Sequence, residues 1–444
     1  MAFDLDQPLS DYTFSLRVAK ENYWTRDFTL RAIAEYKKFM YMAAISDEMV
    51  SPSKVVDAVW HEHITATQKY SEFCSVLGKQ IHHVPSSRSR FDFERFQRAK
   101  NLTKEIYHRE FGAAPKDVWE FDTMYDSLNL PKGKFKIRSF IVGGLLVSAL
   151  LLIPLYFVLR PIYVQISSGD FFGMYILLWV VSFLLLYMYN RQKVQAMFDG
   201  FDRSSFVFSL SPSELIYLRK SRVEELVHPA VNRMVAKNIV HVDKANNLSV
   251  DSDVVPRNVE ENAVMQRLWE KPRPYSVLLA QLSRQPVFSN VANAMEAFEK
   301  YVLKSKAFGT LFYVNFAVIM LLLLPGVVRI LVGLERGKPV VLIVFFMVVV
   351  SIFAFGFLYR LSRRLTRRVV PGHYKNKYAG SKQTDTDWQY FIDDGSTVLF
   401  VPAFAPVITS YYASRAGSDS GSSDSGGSSS CGSSCGSSCG GCGS

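Results

Sequence analysis

Cysteine is nearly missing from most of this chain: Cys74 stands alone in the first 430 residues, and the other four of the five occupy positions 431, 435, 439 and 442. That distribution excludes the evenly spread disulfide framework of a small secreted domain. Charge is missing from four stretches, 139–159, 171–189, 308–328 and 340–359, which contain 21, 19, 21 and 20 residues without one Asp, Glu, Lys or Arg. At 1.5 Å per residue a helix of that length spans about 30 Å, so each can cross the hydrocarbon core of a bilayer. With no ionisable group inside these runs, an ion or proton path through them is disfavoured. The first 20 residues contain no apolar run of signal-peptide length, which leaves the start of the chain in the cytosol. What remains is 49% hydrophobic and 20% charged over 444 residues, too apolar for a wholly disordered chain and long enough for about three folded units.

The formal net charge of +11 is not spread evenly. Thirteen basic residues cluster at one set of span ends: Lys132, Lys134, Lys136 and Arg138; Arg191 and Lys193; Lys304 and Lys306; and Arg360, Arg363, Arg364, Arg367 and Arg368. The two hairpin connections hold Arg160, Arg329, Arg336 and Lys338, offset in part by Asp170 and Glu335. Cytosolic loops retain Lys and Arg, so this asymmetry predicts two transmembrane hairpins with loops outward. The expected division is a helical cytosolic domain (1–138), spans at 139–159 and 171–189, a cytosolic insert (190–307), spans at 308–328 and 340–359, a cytosolic juxtamembrane segment (360–415) and a disordered tail (416–444). Pro154 and Pro325 read as kinks whose freed carbonyls neighbouring helices satisfy.

From Asp11 to Trp119 apolar residues recur at three- and four-residue spacings, which predicts four or five helices. Ser51-Pro52 reads as an N-cap and first helical position, opening one helix that continues to about Leu77 before Gly78. At 100° per residue, His63 and Cys74 fall on the apolar face, while His61 lies about 160–200° away with Asp57. His-x-His on a helix therefore cannot aim both rings at one ion, and the spacing is not that of zinc proteases. Cys74 would lie about 16 Å beyond His63 on a straight helix. Two readings remain open: a buried His63 bonded to Tyr70, Thr67 or a carbonyl with an Asp57–His61 pair on the rim, or a metal site completed by His82 and His83 folding back past Gly78.

The run Val56-Asp57-Ala58-Val59-Trp60-His61-Glu62-His63, with Tyr70-x-x-Phe73-Cys74, Gly78, His82-His83-x-Pro85, Tyr107-x-x-x-Phe111-Gly112, Pro115 and Trp119, resembles the glycine-rich-domain-containing protein family. The resemblance covers about the first 120 residues and implies an all-helical domain, with no activity attached.

In the insert, Ser211-Pro212-Ser213-Glu214 is a capping box with Pro at the first helical position. A second helix is expected over 223–237, then short strands at 239–242 and 248–250 around the turn residues Asn246-Asn247, and helical periodicity over 258–306 including 287–303. Helix, helix and two-stranded wing outline a winged-helix-like unit. Its 17 basic and 13 acidic residues give only +4, so a cytosolic protein partner is favoured over nucleic acid. This order of elements, with Glu335-Arg336-Gly337-Lys338-Pro339-Val340 opening the fourth span, resembles a family of uncharacterised bacterial membrane proteins with Gly/Cys-rich tails over 130–444. That likeness implies a bacterial inner membrane and no catalytic residues.

The apolar segment 397–408 is too short to span and is expected at the membrane interface or against the domain. Residues 417–444 hold 13 Ser, 9 Gly, 4 Cys and 2 Asp, a composition that builds no core. Cys431, Cys435, Cys439 and Cys442 could converge on zinc or an iron–sulfur cluster, remain free thiols, or belong to a modified peptide. Overall the sequence predicts a mostly α membrane protein, read first as a non-enzymatic scaffold or sensor. The alternatives are a metal or redox enzyme built on His61, His63, His82 or His83 with the tail cysteines, and a carrier of a modified Gly/Ser/Cys peptide.

Overall fold

A computed structural model describes residues 3–84, 90–251, 253–378, 385–395 and 400–419, and among these the chain is mostly helical. The N-terminal part forms six helices, α1 (Phe14–Asn22), α2 (Arg26–Ile45), α3 (Lys54–Thr65), α4 (Thr67–Leu77), α5 (Arg90–Phe111) and α6 (Lys116–Trp119). Thr25 caps α2 by accepting the Phe28 N–H, and Ser53 caps α3 by accepting that of Val56. The predicted start at Ser51 is thus two residues early; Ser51 instead bonds Thr103 Oγ1 through its N–H at 2.8 Å and its carbonyl at 3.1 Å. The single helix expected up to Leu77 is also interrupted. Ala66 leaves helical geometry (φ −91°, ψ 65°), so α3 and α4 are separate and the straight-helix spacing of His63 and Cys74 does not hold. Gly78, at φ +72°, ends α4 in the left-handed region that glycine enters without cost.

Four long apolar helices follow the four charge-free runs, and they are long and apolar enough to cross a membrane: α7 (Ile137–Gln165), α8 (Ser168–Asp199), α14 (Lys306–Glu335) and α15 (Val341–Ser362). The first three outrun their apolar stretches by a turn or more at their ends. Their backbone bonds stay internal, so the helix continues past the edge of the hydrocarbon core. Pro154, Pro161 and Pro325 lie inside these helices. Near Pro325 the Tyr175 hydroxyl donates to the Leu322 carbonyl at 2.7 Å. Gly326 permits that approach, since a Cβ there would lie 2.5 Å from both Tyr175 Oη and Met347 Sδ. Toward the other end, Asn190 and Asn315 exchange reciprocal amide hydrogen bonds of 2.8 and 2.7 Å, both side chains buried, which pairs α8 with α14.

Between the second and third spans lie α9 (Pro212–Lys220), α10 (Glu224–Ala236), β1 (Val240–Val242), β2 (Asn247–Val250), α11 (Val259–Leu268), β3 (Arg273–Pro274), α12 (Tyr275–Leu282) and α13 (Pro286–Leu303). The capping box at Ser211 and Glu214 forms as read from the sequence. The hairpin β1–β2 is antiparallel with His241 opposite Ser249, and β3 adds a third strand in the order β1-β2-β3, where two were expected.

After the fourth span a π-turn (Leu365–Val369) leads to α16 (Val370–Lys377), α17 (Thr386–Ile392) and α18 (Ala405–Asp419). The sequence treats 360–415 as a juxtamembrane segment, with 397–408 at the interface or against the domain; Tyr374, Tyr390 and Phe391 are buried in the core shared with the insert, and Phe400, Phe404 and Ile408 of the 397–408 segment pack there too, the second of its two alternatives. Each such side chain contributes about 1.5–3 kcal/mol of gross burial energy, enough to hold a segment with no strong periodicity. Tyr390 and Tyr412 donate to the two oxygens of Glu225 at 2.9 and 3.1 Å. Helix α18 runs to Asp419, four residues into the expected disordered tail; 420–444 lie outside the described residues.

The parts before the first span, between the second and third, and after the fourth form one head at one end of the helix bundle. Leu5, Phe28, Leu215, Phe298 and Phe404 belong to one continuous core. Across the junctions Asn290 Nδ2 donates to the Leu16 carbonyl at 2.8 Å, and the Arg26 N–H to the fully buried Glu214 carboxylate at 3.3 Å. The Gly133 and Lys306 N–H groups donate to the Lys304 and Pro131 carbonyls, which tie the entries of α7 and α14 together.

Candidate metal centre

Helix α3 presents two chemically different faces. Inward, Val55, Val56, Val59 and His63 are wholly buried. The His63 ring lies against Phe14, Tyr36, Tyr70 and Phe73, with Nδ1 at 2.8 Å from the Tyr36 hydroxyl. Burial, reinforced by the positive charges of Lys69, Arg17 and Lys37, pushes its pKa down to about 4, so the ring stays neutral. The bonded hydroxyl is that of Tyr36 on α2, whereas the sequence pointed to Tyr70 or Thr67. Residues on different helices cannot be paired from spacing alone. His63 is therefore an internal hydrogen-bonded histidine, removed from any solvent-facing ion.

Outward, Asp57 and His61 sit one turn apart, with Asp57 Oδ2 3.5 Å from His61 Nε2. The third member arrives from beyond α4. Gly78 reverses the chain, and the Tyr70 hydroxyl, accepting from Trp60 Nε1 at 3.0 Å, donates to the Ile81 carbonyl at 2.6 Å. That relay lays residues 81–84 along α3 without helical structure, and their burial alternates: Ile81 in, His82 out, His83 half-buried, Val84 out. In extended chain alternate residues face the same way, so His83 follows Ile81 toward α3 and His82 points to solvent. His83 Nε2 reaches Asp57 Oδ1 at 3.0 Å, while its ring meets Trp60 edge-on at 4.7 Å and His61 at 4.5 Å.

The outcome is one carboxylate oxygen and two imidazole nitrogens within 4.8 Å of one another, at an open rim where the side chains of His61, Asp57 and His83 are 60, 37 and 21% exposed. Around a tetrahedral ion with bonds of about 2.1 Å, donor atoms stand about 3.4 Å apart, so small side-chain rotations suffice to close the shell. Two imidazoles with one carboxylate suit a divalent transition metal of borderline softness such as zinc or iron(II), with further positions left to solvent.

Of the histidines singled out from the sequence, the fold brings together His61 and His83, leaves His82 exposed and encloses His63. Cys431, Cys435, Cys439 and Cys442 lie outside the described residues. Asp57 was recognised as the rim partner of His61 but not as a ligand, although its placement one turn before that histidine carried the signal. Cys74 is buried beside Phe73 in the core.

A family model described as UCP032817-like matches residues 14–100, a segment that includes Asp57, His61 and His83. No curated protein and no solved structure matches the chain.

Proposed function

We propose that this is a membrane-anchored, non-enzymatic scaffold or sensor whose head takes up a divalent transition metal at Asp57, His61 and His83. The observation that carries the reading is the convergence of those three ligand atoms from two separate chain segments, with Trp60, Tyr70 and Ile81 positioning His83. The open rim favours binding or metal-responsive assembly over turnover, which calls for a concave site that excludes water. The charge asymmetry supports a topology with the head and both chain ends in the cytosol and the hairpin loops outward, and the bacterial inner membrane rests on the family resemblance alone. The likeness to the glycine-rich-domain-containing family and to bacterial membrane proteins with Gly/Cys-rich tails belongs to the same reading. A reducing cytosol keeps the tail thiols free for a tether, and a cytosolic protein partner is expected on the head.

The test is elemental analysis of full-length protein purified without chelator. One zinc or iron per chain, lost in His61→Ala and His83→Ala and kept when the four tail cysteines are replaced by serine, is the expected result. Metal lost only with the tail cysteines moves the site to the tail and overturns the proposal.

A further inference from the structure

At the ends of the spans opposite the head, a groove of about 910 Å³ opens between the two hairpins. Its apolar side is formed by Phe171, Val332 and Ile343 with the outward-facing Val341, Leu342 and Phe345. Its polar side carries Arg329, Arg336 and Lys338, and no acidic residue is among those lining it. Of the two acids at this end, Glu335 is paired with Arg160 and the Tyr156 hydroxyl, while Asp170 accepts from the hydroxyl of Ser167 at the groove's edge, so three cations face one unpaired carboxylate beside the groove.

The Arg329 guanidinium is bound by the Tyr163 and Ile166 carbonyls at the end of α7 and lies 5.0 Å from the centre of the Phe171 ring. Those partners are dipoles, so its position is fixed while its full charge remains uncompensated. Arg336 donates one N–H to the Val164 carbonyl at 3.2 Å and keeps others free, since a guanidinium has five. The groove lies beyond position 159, where the first charge-free run ends at Arg160, and so falls at the level of lipid headgroups. Three cations above an apolar slot match an anionic headgroup with acyl chains beneath it, whichever leaflet supplies the lipid.

We propose that this groove binds the phosphodiester of an anionic glycerophospholipid from the surrounding bilayer, with Arg336 and Lys338 on the phosphate oxygens and Arg329 as the fixed charge at its floor. The site is independent of the metal centre at the other end of the molecule.

Native mass spectrometry of the full-length detergent-solubilised protein, titrated with dioctanoyl phosphatidylglycerol, dioctanoyl phosphatidylcholine or inorganic phosphate, tests this directly. One phosphatidylglycerol retained per chain, at least tenfold tighter than phosphatidylcholine, is expected. Arg336→Gln with Lys338→Gln should erase that preference, and Lys132→Gln with Lys134→Gln at the head side should leave it intact; matching melting temperatures confirm that both doubles fold. Equal retention of the two lipids, an unchanged preference in the Arg336/Lys338 double, or binding of inorganic phosphate as tight as that of phosphatidylglycerol would overturn the proposal.

Discussion

The two faces of α3 carry histidines two residues apart, and the fold treats them oppositely. His63 is sealed among four aromatic rings, bonded to a tyrosine and kept neutral. His61, on the far side, stays in solvent and gains a second imidazole from a segment 22 residues further on. The residue type is the same, but one environment spends it on packing and the other leaves it on an open rim beside Asp57 and His83. A histidine count in the sequence cannot separate these roles, because the distinction depends on what returns to each face.

The contrast can be broken most forcefully from the inside. His63→Ala removes a buried ring and orphans the Tyr36 hydroxyl, so a loss of about 3–5 kcal/mol is expected in denaturant unfolding of the solubilised protein, with zinc affinity unchanged in the folded fraction. Acid should then weaken the head through the same residue. Its pKa is near 6.5 in the unfolded chain and about 4 when folded, so the unfolded state takes up the proton first as pH falls. The stability it contributes is whole above pH 6.5 and lost toward pH 4, about 3 kcal/mol, and His63→Gln should flatten that part of the pH profile. Buried His228, also pushed down to about 4 by burial, carries the same sign and remains in the variant.

On the rim the expected effects change kind. His83→Ala should weaken zinc binding about 100-fold or more while shifting stability by no more than about 0.5 kcal/mol, as measured by competition with a chromophoric chelator. Trp60→Phe keeps the ring beside His83 but breaks the bond to Tyr70, and about a tenfold loss of affinity is expected from loosened positioning. His82→Ala should change neither quantity; a loss of metal in that variant would mean that residues 81–84 rotate to present the other imidazole.

The four spans were legible because a run of 19 to 21 residues without charge leaves few alternatives to a membrane helix. The capping box at Ser211 and the hairpin strands were legible for a similar reason, since a local rule decides each. The break at Ala66 was not, because nothing in its residue type opposes a helix; tertiary packing of Tyr70 and Trp60 overrides the propensity. Residues 360–415 read as a juxtamembrane segment since their aromatic residues are scattered, and only the insert's core supplies the surface that buries Tyr374 and Tyr390; for 397–408, packing against the domain is one of the two readings. For the candidate site, Asp57 and His61 were readable as a helical pair. The choice of His83 over His82 rested on the parity of an extended segment whose anchor, Ile81, is set by a hydrogen bond from Tyr70.

Titration of the full-length protein with cobalt(II), followed by absorption spectroscopy, tests the central claim most directly. A nitrogen- and oxygen-ligated ion on the rim predicts one equivalent bound with weak visible d–d bands and no sulfur-to-cobalt charge-transfer band, unaltered by removal of residues 420–444 and abolished by His61→Ala with His83→Ala. An intense near-ultraviolet charge-transfer band that vanishes with the tail, and survives the double histidine variant, would contradict it.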